Sequence, residues 1–89
     1  MAALSVDLVA TDRRVWSGVA QSVSAPSING QIGILPGHTP LLAVMRAGTV
    51  KVVAGDGTIF EAKVSGGFLS VDDNLVTVVA DEITTPPDG

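Results

Sequence analysis

The sequence predicts an all-β protein, a small antiparallel β-sandwich or flattened barrel of about eight to ten short strands. Three observations support this prediction. Apolar residues recur at every second position in several short windows, which is the period of a half-buried strand. Gly, Pro, Asn and Asp separate those windows at close spacing. Finally, no window shows a convincing helical period.

The first elements follow from alternation. Residues 4–8 alternate apolar and polar, which predicts a first strand, and residues 15–16 begin a second short extended piece that Gly18 ends. Residues 19–25 alternate again, and Pro26 ends that strand. The residues expected on one face of it are Val19, Gln21, Val23 and Ala25.

The next segment reads as a hairpin followed by a shaped loop. Asn29-Gly30 supplies a hairpin turn between residues 19–25 and a strand at residues 31–35. Gly33 interrupts that strand, which predicts a β-bulge or a close backbone approach. Pro36-Gly37 suits a tight turn, because Pro fixes φ and Gly accepts positive φ.

Pro40 removes a backbone donor and pushes Thr39 towards extended geometry, so the loop re-enters the core at Leu41. Residues 41–45 fit either a strand or one helical turn. The residues expected to give the loop its rigid shape are Gly33, Pro36, Gly37 and Pro40.

The second half contains four further strands. Residues 49–53 are β-branched, and residues 58–64 alternate after the turn at residues 55–57. Gly66-Gly67 is expected to kink the chain before a strand at residues 68–71. Residues 72–74 form a turn. Residues 75–80 are apolar on both faces, which predicts a central strand or one that is covered on both sides.

Length and composition limit the classes of protein. Eighty-nine residues allow one domain, which we place at residues 1–83, with a mobile tail at residues 84–89. A net charge of −4 argues against nucleic-acid binding, and no 18-residue apolar stretch exists to insert into lipid. Only 16% of residues are charged, which fits either a partner-covered surface or a compact domain rich in Val and Ala.

Catalysis and cofactor binding find little support. His38 is the only histidine and there is no cysteine, so neither a nucleophilic triad nor a zinc site is indicated. Gly66-Gly67 lacks the Lys-Ser or Lys-Thr of a phosphate loop, and residues 72–74 lack the spacing of a calcium loop. We therefore expect a non-catalytic interaction domain without a cofactor.

Three motifs carry a family resemblance. The segment GILPGHTPLL at residues 33–42, preceded by WSG at residues 16–18 and followed by SGGFLSV at residues 65–71, resembles the N-terminal domain of the epsilon subunit of F-type ATP synthases. The motifs occur in the family's order and with nearly its spacing. The resemblance covers residues 4–82, almost the whole chain.

This resemblance implies a β-sandwich in the rotating central stalk of a proton-translocating ATP synthase. Such a domain binds the gamma subunit and rests on the ring of c subunits, so that proton-driven rotation is coupled to ATP synthesis. It would lie at the cytoplasmic face of the cell membrane as a peripheral part of the complex. The alternative is a generic β-sandwich interaction module unrelated to the synthase.

The resemblance also implies site residues. The residues expected at the c-ring are Ser27, Ile28, Asn29, Gly30 and Gln31, of which Asn29 and Gln31 are neutral where many relatives carry acids. The residues expected at the gamma subunit are Ala10, His38 and Ala43. Family members commonly continue into a helical hairpin that inhibits hydrolysis or binds ATP. This sequence stops at Gly89, so we expect neither property from it.

Overall fold

A single long strand organises the molecule. The computed structural model describes residues 3–85, and nine strands and no helix lie in that range. The second strand, Arg13–Ser27, pairs with four others along its 15 residues. The strands are β1 Leu4–Ala10, β2 Arg13–Ser27, β3 Gly30–Ile34, β4 Leu41–Met45, β5 Gly48–Ala54, β6 Ile59–Val64, β7 Gly67–Asp72, β8 Leu75–Ala80 and β9 Ile83–Thr84.

The strands form one sheet that folds over on itself. Its order is β1-β8-β7-β4-β2-β5-β6-β9, with β3 added to β2, and β1 also pairs with β2. One layer therefore contains β1, β8, β7 and β4, and the other contains β3, β5, β6 and β9, with β2 passing from the first to the second. All pairings are antiparallel except β1 with β8. The molecule measures 32 × 31 × 22 Å, which is the flattened sandwich that the sequence predicts.

Strand β2 differs from the prediction of two separate strands. The ladder with β5 shifts register between Ala20 and Ser22, which marks an irregularity at Gln21. Ala20 and Val23 are both buried, whereas Val19 and Gln21 are exposed. The expected common face of residues 19–25 is therefore wrong in its first half, because the extra residue reverses the alternation.

Pro26 does not end β2 either. It lies opposite Gln31 in the ladder with β3, and its carbonyl accepts a hydrogen bond from the Arg46 backbone N–H at 3.0 Å. Proline can remain within the strand because its carbonyl still accepts a hydrogen bond, although its nitrogen can donate none.

The core lies between the two layers. It consists of aliphatic side chains from eight strands and the β9 residue Ile83, with Leu4, Leu8, Ile34 and Leu69 the largest fully buried ones. Trp16 of β2 stacks on Phe60 of β6, with ring centroids 5.7 Å apart, and both rings pack against the core. In the described part of the chain, no buried side-chain nitrogen or oxygen lacks a hydrogen-bond partner. The core is therefore apolar, and the buried polar side-chain atoms around it are all hydrogen-bonded.

Two glycine predictions have opposite outcomes. The expected kink at Gly66-Gly67 is confirmed: Gly67 has φ of 140°, and a Cβ built on it would lie 2.0 Å from the carbonyl oxygen of Val79. The expected bulge or close approach at Gly33 is wrong. Gly33 lies in regular register opposite Ser24, its φ is not positive, and an added Cβ would meet no atom within 4 Å.

The last described residues pair with the sheet. Ile83–Thr84 forms β9 against Lys63 and Val64, so the sheet extends one residue past the predicted domain boundary at residue 83. Residues 86–89 of the predicted tail lie outside the described residues. Within residues 3–85, no helix is long and apolar enough to cross a membrane.

Candidate interaction surfaces

The loop that contains the only histidine is a type II turn. The His38 backbone N–H donates to the Leu35 carbonyl at 3.1 Å, and Gly37 supplies the positive φ of 87° that the third position of this turn needs. Pro36 occupies the position where its fixed φ is favourable. The Pro36-Gly37 turn predicted from the sequence is confirmed.

This loop is held by the turn between β7 and β8. Asn74 Oδ1 accepts a hydrogen bond from the Gly37 backbone N–H at 2.7 Å. Asp73 and Asn74 have φ of 50° and 64°, the two left-handed conformations of a type I′ hairpin turn. The Asn74 carbonyl also accepts from the Ser5 N–H at 2.8 Å. The His38 loop thus has a defined position relative to β1 and β8.

The three residues expected at the gamma subunit do not form one exposed patch. His38 is partly exposed, and its Nδ1 lies 2.7 Å from the Thr39 carbonyl oxygen. Ala10 is only 4% exposed, and Ala43 packs against the core. The structure places both methyl groups on the inner side of the sheet, where their small size serves internal packing.

A larger apolar surface lies on the outer side of the same layer. Val44 of β4 is opposite Phe68 of β7, and Phe68 is opposite Val79 of β8. Leu42, two residues before Val44, is 73% exposed, and Phe68 is 55% exposed. We call these four residues the apolar face. Contiguous exposed apolar side chains make this surface a candidate for contact with another molecule.

Part of this face could be anticipated from the sequence. Residues 75–80 are apolar on both faces, and the structure buries Val76 and Val78 while leaving Leu75 and Val79 exposed. The predicted central position of β8, between β1 and β7, is confirmed. No other part of residues 3–85 covers the outer face of β8, where Leu75 and Val79 are exposed. The sequence does not single out Leu42 and Val44, because residues 41–45 fit either a strand or one helical turn.

The β2–β3 hairpin is the second exposed feature. The Ser27 hydroxyl donates to the Gly30 carbonyl at 2.6 Å and accepts from the Asn29 N–H at 3.2 Å. Ser27 is 3% exposed, so its side chain stabilises the turn from inside. Ile28, Asn29 and Gln31 project into solvent. The predicted hairpin is confirmed, with positive φ at Gly30.

The charged side chains within residues 3–85 do not form a metal site. No group of three His, Cys, Asp or Glu side chains in residues 3–85 could hold a metal ion. The ion pair found there joins Arg14 Nε to Asp7 Oδ1 at 3.7 Å across two exposed side chains. The Thr58 backbone N–H donates to Asp56 at 2.9 Å and lowers the pKa of that carboxyl.

Comparison with known proteins identifies the family. The family described as ATP synthase, Delta/Epsilon chain, beta-sandwich domain matches residues 3–86. The chain belongs to this family. It is 51% identical to the ATP synthase epsilon chain of Micrococcus luteus over 80 residues, which cover 90% of this chain and 88% of that relative. The epsilon chain of Rhodococcus jostii is 48% identical over 82 residues, with 91% of this chain and 67% of the relative covered.

Solved structures support the fold. A chain in the cryo-EM structure of the Euglena gracilis mitochondrial ATP synthase, OSCP/F1/c-ring, superimposes with a TM-score of 0.89 at 22% identity. That comparison covers 96% of this chain and 54% of the other. A chain of the Tetrahymena thermophila mitochondrial ATP synthase central stalk and c-ring gives a TM-score of 0.76 at 16% identity, with coverage of 92% and 66%. The predicted β-sandwich is therefore confirmed, and so is the expectation of a non-catalytic ATP synthase subunit.

Proposed function

We propose that this chain is a central-stalk subunit that binds the gamma subunit and the c-ring of a proton-translocating ATP synthase. It would transmit rotation between them at the cytoplasmic face of the membrane, as a peripheral subunit. The observation that carries the proposal is the apolar face, together with membership of the epsilon family. That membership also removes the alternative of an unrelated interaction module.

The apolar face is the better candidate for the gamma subunit. A standard interface buries about 800 Å² per partner, which is about 15% of the 5273 Å² surface of this chain. Phe68 lies between Val44 and Val79, so it has the central position and aromatic character typical of a residue that dominates binding energy. His38 would add a polar contact, and Ala10 and Ala43 would act only by shaping the sheet beneath.

The β2–β3 hairpin is the better candidate for the c-ring. Its exposed residues Ile28, Asn29 and Gln31 are uncharged, so contact would rely on shape and hydrogen bonds. The internal hydrogen bonds of Ser27 keep the turn rigid, which reduces the entropy lost on binding. Ser27 and Gly30 would therefore support the contact from within the hairpin.

The test is a titration of purified chain with the cognate gamma subunit. Phe68→Glu should weaken binding at least about 10-fold, because a buried charge at the centre of an apolar interface lacks a partner. Ile59→Glu is the matched control: Ile59 is 57% exposed on β6, in the opposite layer, and this change should have less than about a 2-fold effect.

Two outcomes would contradict the proposal. If the wild-type chain and the gamma subunit fail to co-elute in gel filtration at micromolar concentration, this chain does not bind the gamma subunit. If Phe68→Glu and Ile59→Glu weaken binding equally, the apolar face is not the contact surface.

A further inference from the structure

A polar groove lies on the outer side of the opposite layer, next to the β2–β3 hairpin. Its volume is about 380 Å³. Ser24 and Pro26 of β2 and Gly48 of β5 line it with small side chains, which makes the surface concave. Gln31 lies opposite Pro26 in the ladder and forms the rim on the hairpin side. The groove is therefore continuous with the surface proposed to meet the c-ring.

Two cations line this groove on a chain whose net charge is −4. Arg46 and Lys51 are exposed, and neither side chain makes an ion pair or hydrogen bond with any residue in the described range. Glu61 is opposite Lys51 in the β5–β6 ladder and is the one acid in the lining. The groove thus carries one net positive charge, opposite in sign to the whole molecule.

The position of Arg46 is set by the backbone. Its N–H donates to the Pro26 carbonyl at 3.0 Å, which anchors the β4–β5 turn over β2. This bond fixes the main chain from which the exposed side chain extends, and a guanidinium can bind a planar carboxylate through two parallel hydrogen bonds. Ser24, Thr49 and Gln31 add neutral donors around the same space.

A carboxylate fits this groove better than a phosphate. A phosphate monoester carries nearly two negative charges, which exceeds the single net positive charge of the groove, whereas one carboxylate matches it. No helix exists in residues 3–85 to offer the backbone N–H groups of a phosphate site.

We propose that this groove binds an acidic side chain on the partner loop that meets the β2–β3 hairpin, which on the proposed function is a loop of the c-ring. The neutral hairpin tip and the cationic groove then form one surface. The hairpin tip contacts the ring through shape complementarity. Arg46 and Lys51 attract the acidic side chain of the partner loop, which orients the ring relative to this chain. This inference rests on the proposed contact with the c-ring.

The experiment measures binding of purified chain to detergent-solubilised c-ring of the cognate synthase, at low and high ionic strength. Arg46→Glu and Lys51→Glu should each weaken binding about 5-fold at low ionic strength, because each replaces an attraction by a repulsion. Lys63→Glu is the matched control, since Lys63 is an exposed cation of the same layer that does not line the groove. It should have less than about a 2-fold effect.

Binding of the same variants to the gamma subunit should be unchanged, which shows that they are folded. Failure of the wild-type chain to bind the ring would overturn the proposed ring contact and this inference with it. Wild-type binding that Arg46→Glu and Lys51→Glu leave unchanged or strengthen would overturn the inference alone. Binding of the wild-type chain to vesicles of anionic lipid, lost in these variants while ring binding is unchanged, would assign the groove to a lipid phosphate instead.

Discussion

Replacement of Gly67 by alanine should be among the most destabilising single-methyl changes in this molecule. Gly67 begins β7 with φ of 140°, a conformation that costs a residue with a side chain about 1–2 kcal/mol. The new Cβ would also lie 2.0 Å from the Val79 carbonyl oxygen and 2.9 Å from Ala80 Cα. Both of these are backbone atoms of the neighbouring strand, so no side-chain rotation can relieve the overlap.

The two costs add. Overpacking of this kind costs about 1–3 kcal/mol, so Gly67→Ala should lower the free energy of unfolding by about 2–5 kcal/mol. A domain of this size has a total stability near the lower end of about 5–15 kcal/mol. The midpoint of thermal unfolding should therefore fall by at least about 8 °C, since each kcal/mol shifts it by about 4–8 °C.

Substitutions at two other glycines separate the cost of backbone strain from the cost of crowding the added Cβ. Gly37 also has positive φ, at 87°, but an added Cβ would meet no atom within 4 Å, so Gly37→Ala should show only the strain cost of about 1 kcal/mol. Gly33 has neither strain nor crowding, and Gly33→Ala should be neutral or stabilise the strand by about 0.5 kcal/mol. Urea unfolding of the four purified proteins, followed by circular dichroism, measures all three differences.

The order of the three variants is the decisive result. Gly67→Ala must be the least stable, then Gly37→Ala, then Gly33→Ala. If Gly67→Ala lowers the free energy of unfolding by less than Gly37→Ala does, the contact between β7 and β8 is not as close as described. Crowding by the backbone of β8 would then not be the reason that position 67 needs a glycine.

Two further predictions concern the turns. Asn74→Gly keeps the left-handed conformation but removes the acceptor for the Gly37 N–H. Hydrogen exchange of the Gly37 amide should therefore accelerate about 5-fold, which corresponds to the loss of a hydrogen bond worth about 1 kcal/mol. Asn74→Asp is the control, because it keeps an acceptor and should not accelerate the exchange. The pKa of Asp56 is lowered from its ordinary value of 3.8 mainly by the Thr58 backbone N–H. The ionised Asp56 side chain therefore stabilises the folded protein above pH 3.8. This stabilisation is lost as the pH falls through the lowered pKa of the folded state. The stability of Asp56→Asn, measured by urea unfolding, should therefore depend less on pH below about 4 than that of the wild type, and parallel curves would contradict this assignment.

Much of the fold follows from local pattern. The alternation of residues 4–8 and 58–64 predicts strands that the structure contains as β1 and β6, with Ala62 and Val64 buried. The turns at residues 36–37 and 72–74 also follow from residue type, because positive φ and fixed φ are properties of single residues. These predictions succeed because they depend only on near neighbours in the chain.

Other features depend on contacts between distant residues. Strand β2 is one element instead of two, because β1, β3 and β5 pair with successive parts of it and the irregularity at Gln21 is absorbed by that pairing. The same pairing makes Pro26 a strand residue. The sequence predicts a close approach at Gly33, yet whether a glycine is crowded depends on the atoms that the fold brings near it, and none lies within 4 Å of a Cβ added there.

The candidate surfaces divide in the same way. The sequence by itself determined the all-β class, the non-catalytic character, the family, and the rigid turns around His38 and Asn29, because composition and short motifs carry that information. Only the tertiary structure decided which side of each strand faces outwards. It turned Ala10 and Ala43 inwards, aligned Leu42, Val44, Phe68 and Val79 across three strands, and brought Arg46 and Lys51 beside Gln31. The physical reason is that strand register, set by pairing between residues far apart in sequence, fixes the direction of every side chain in a sheet.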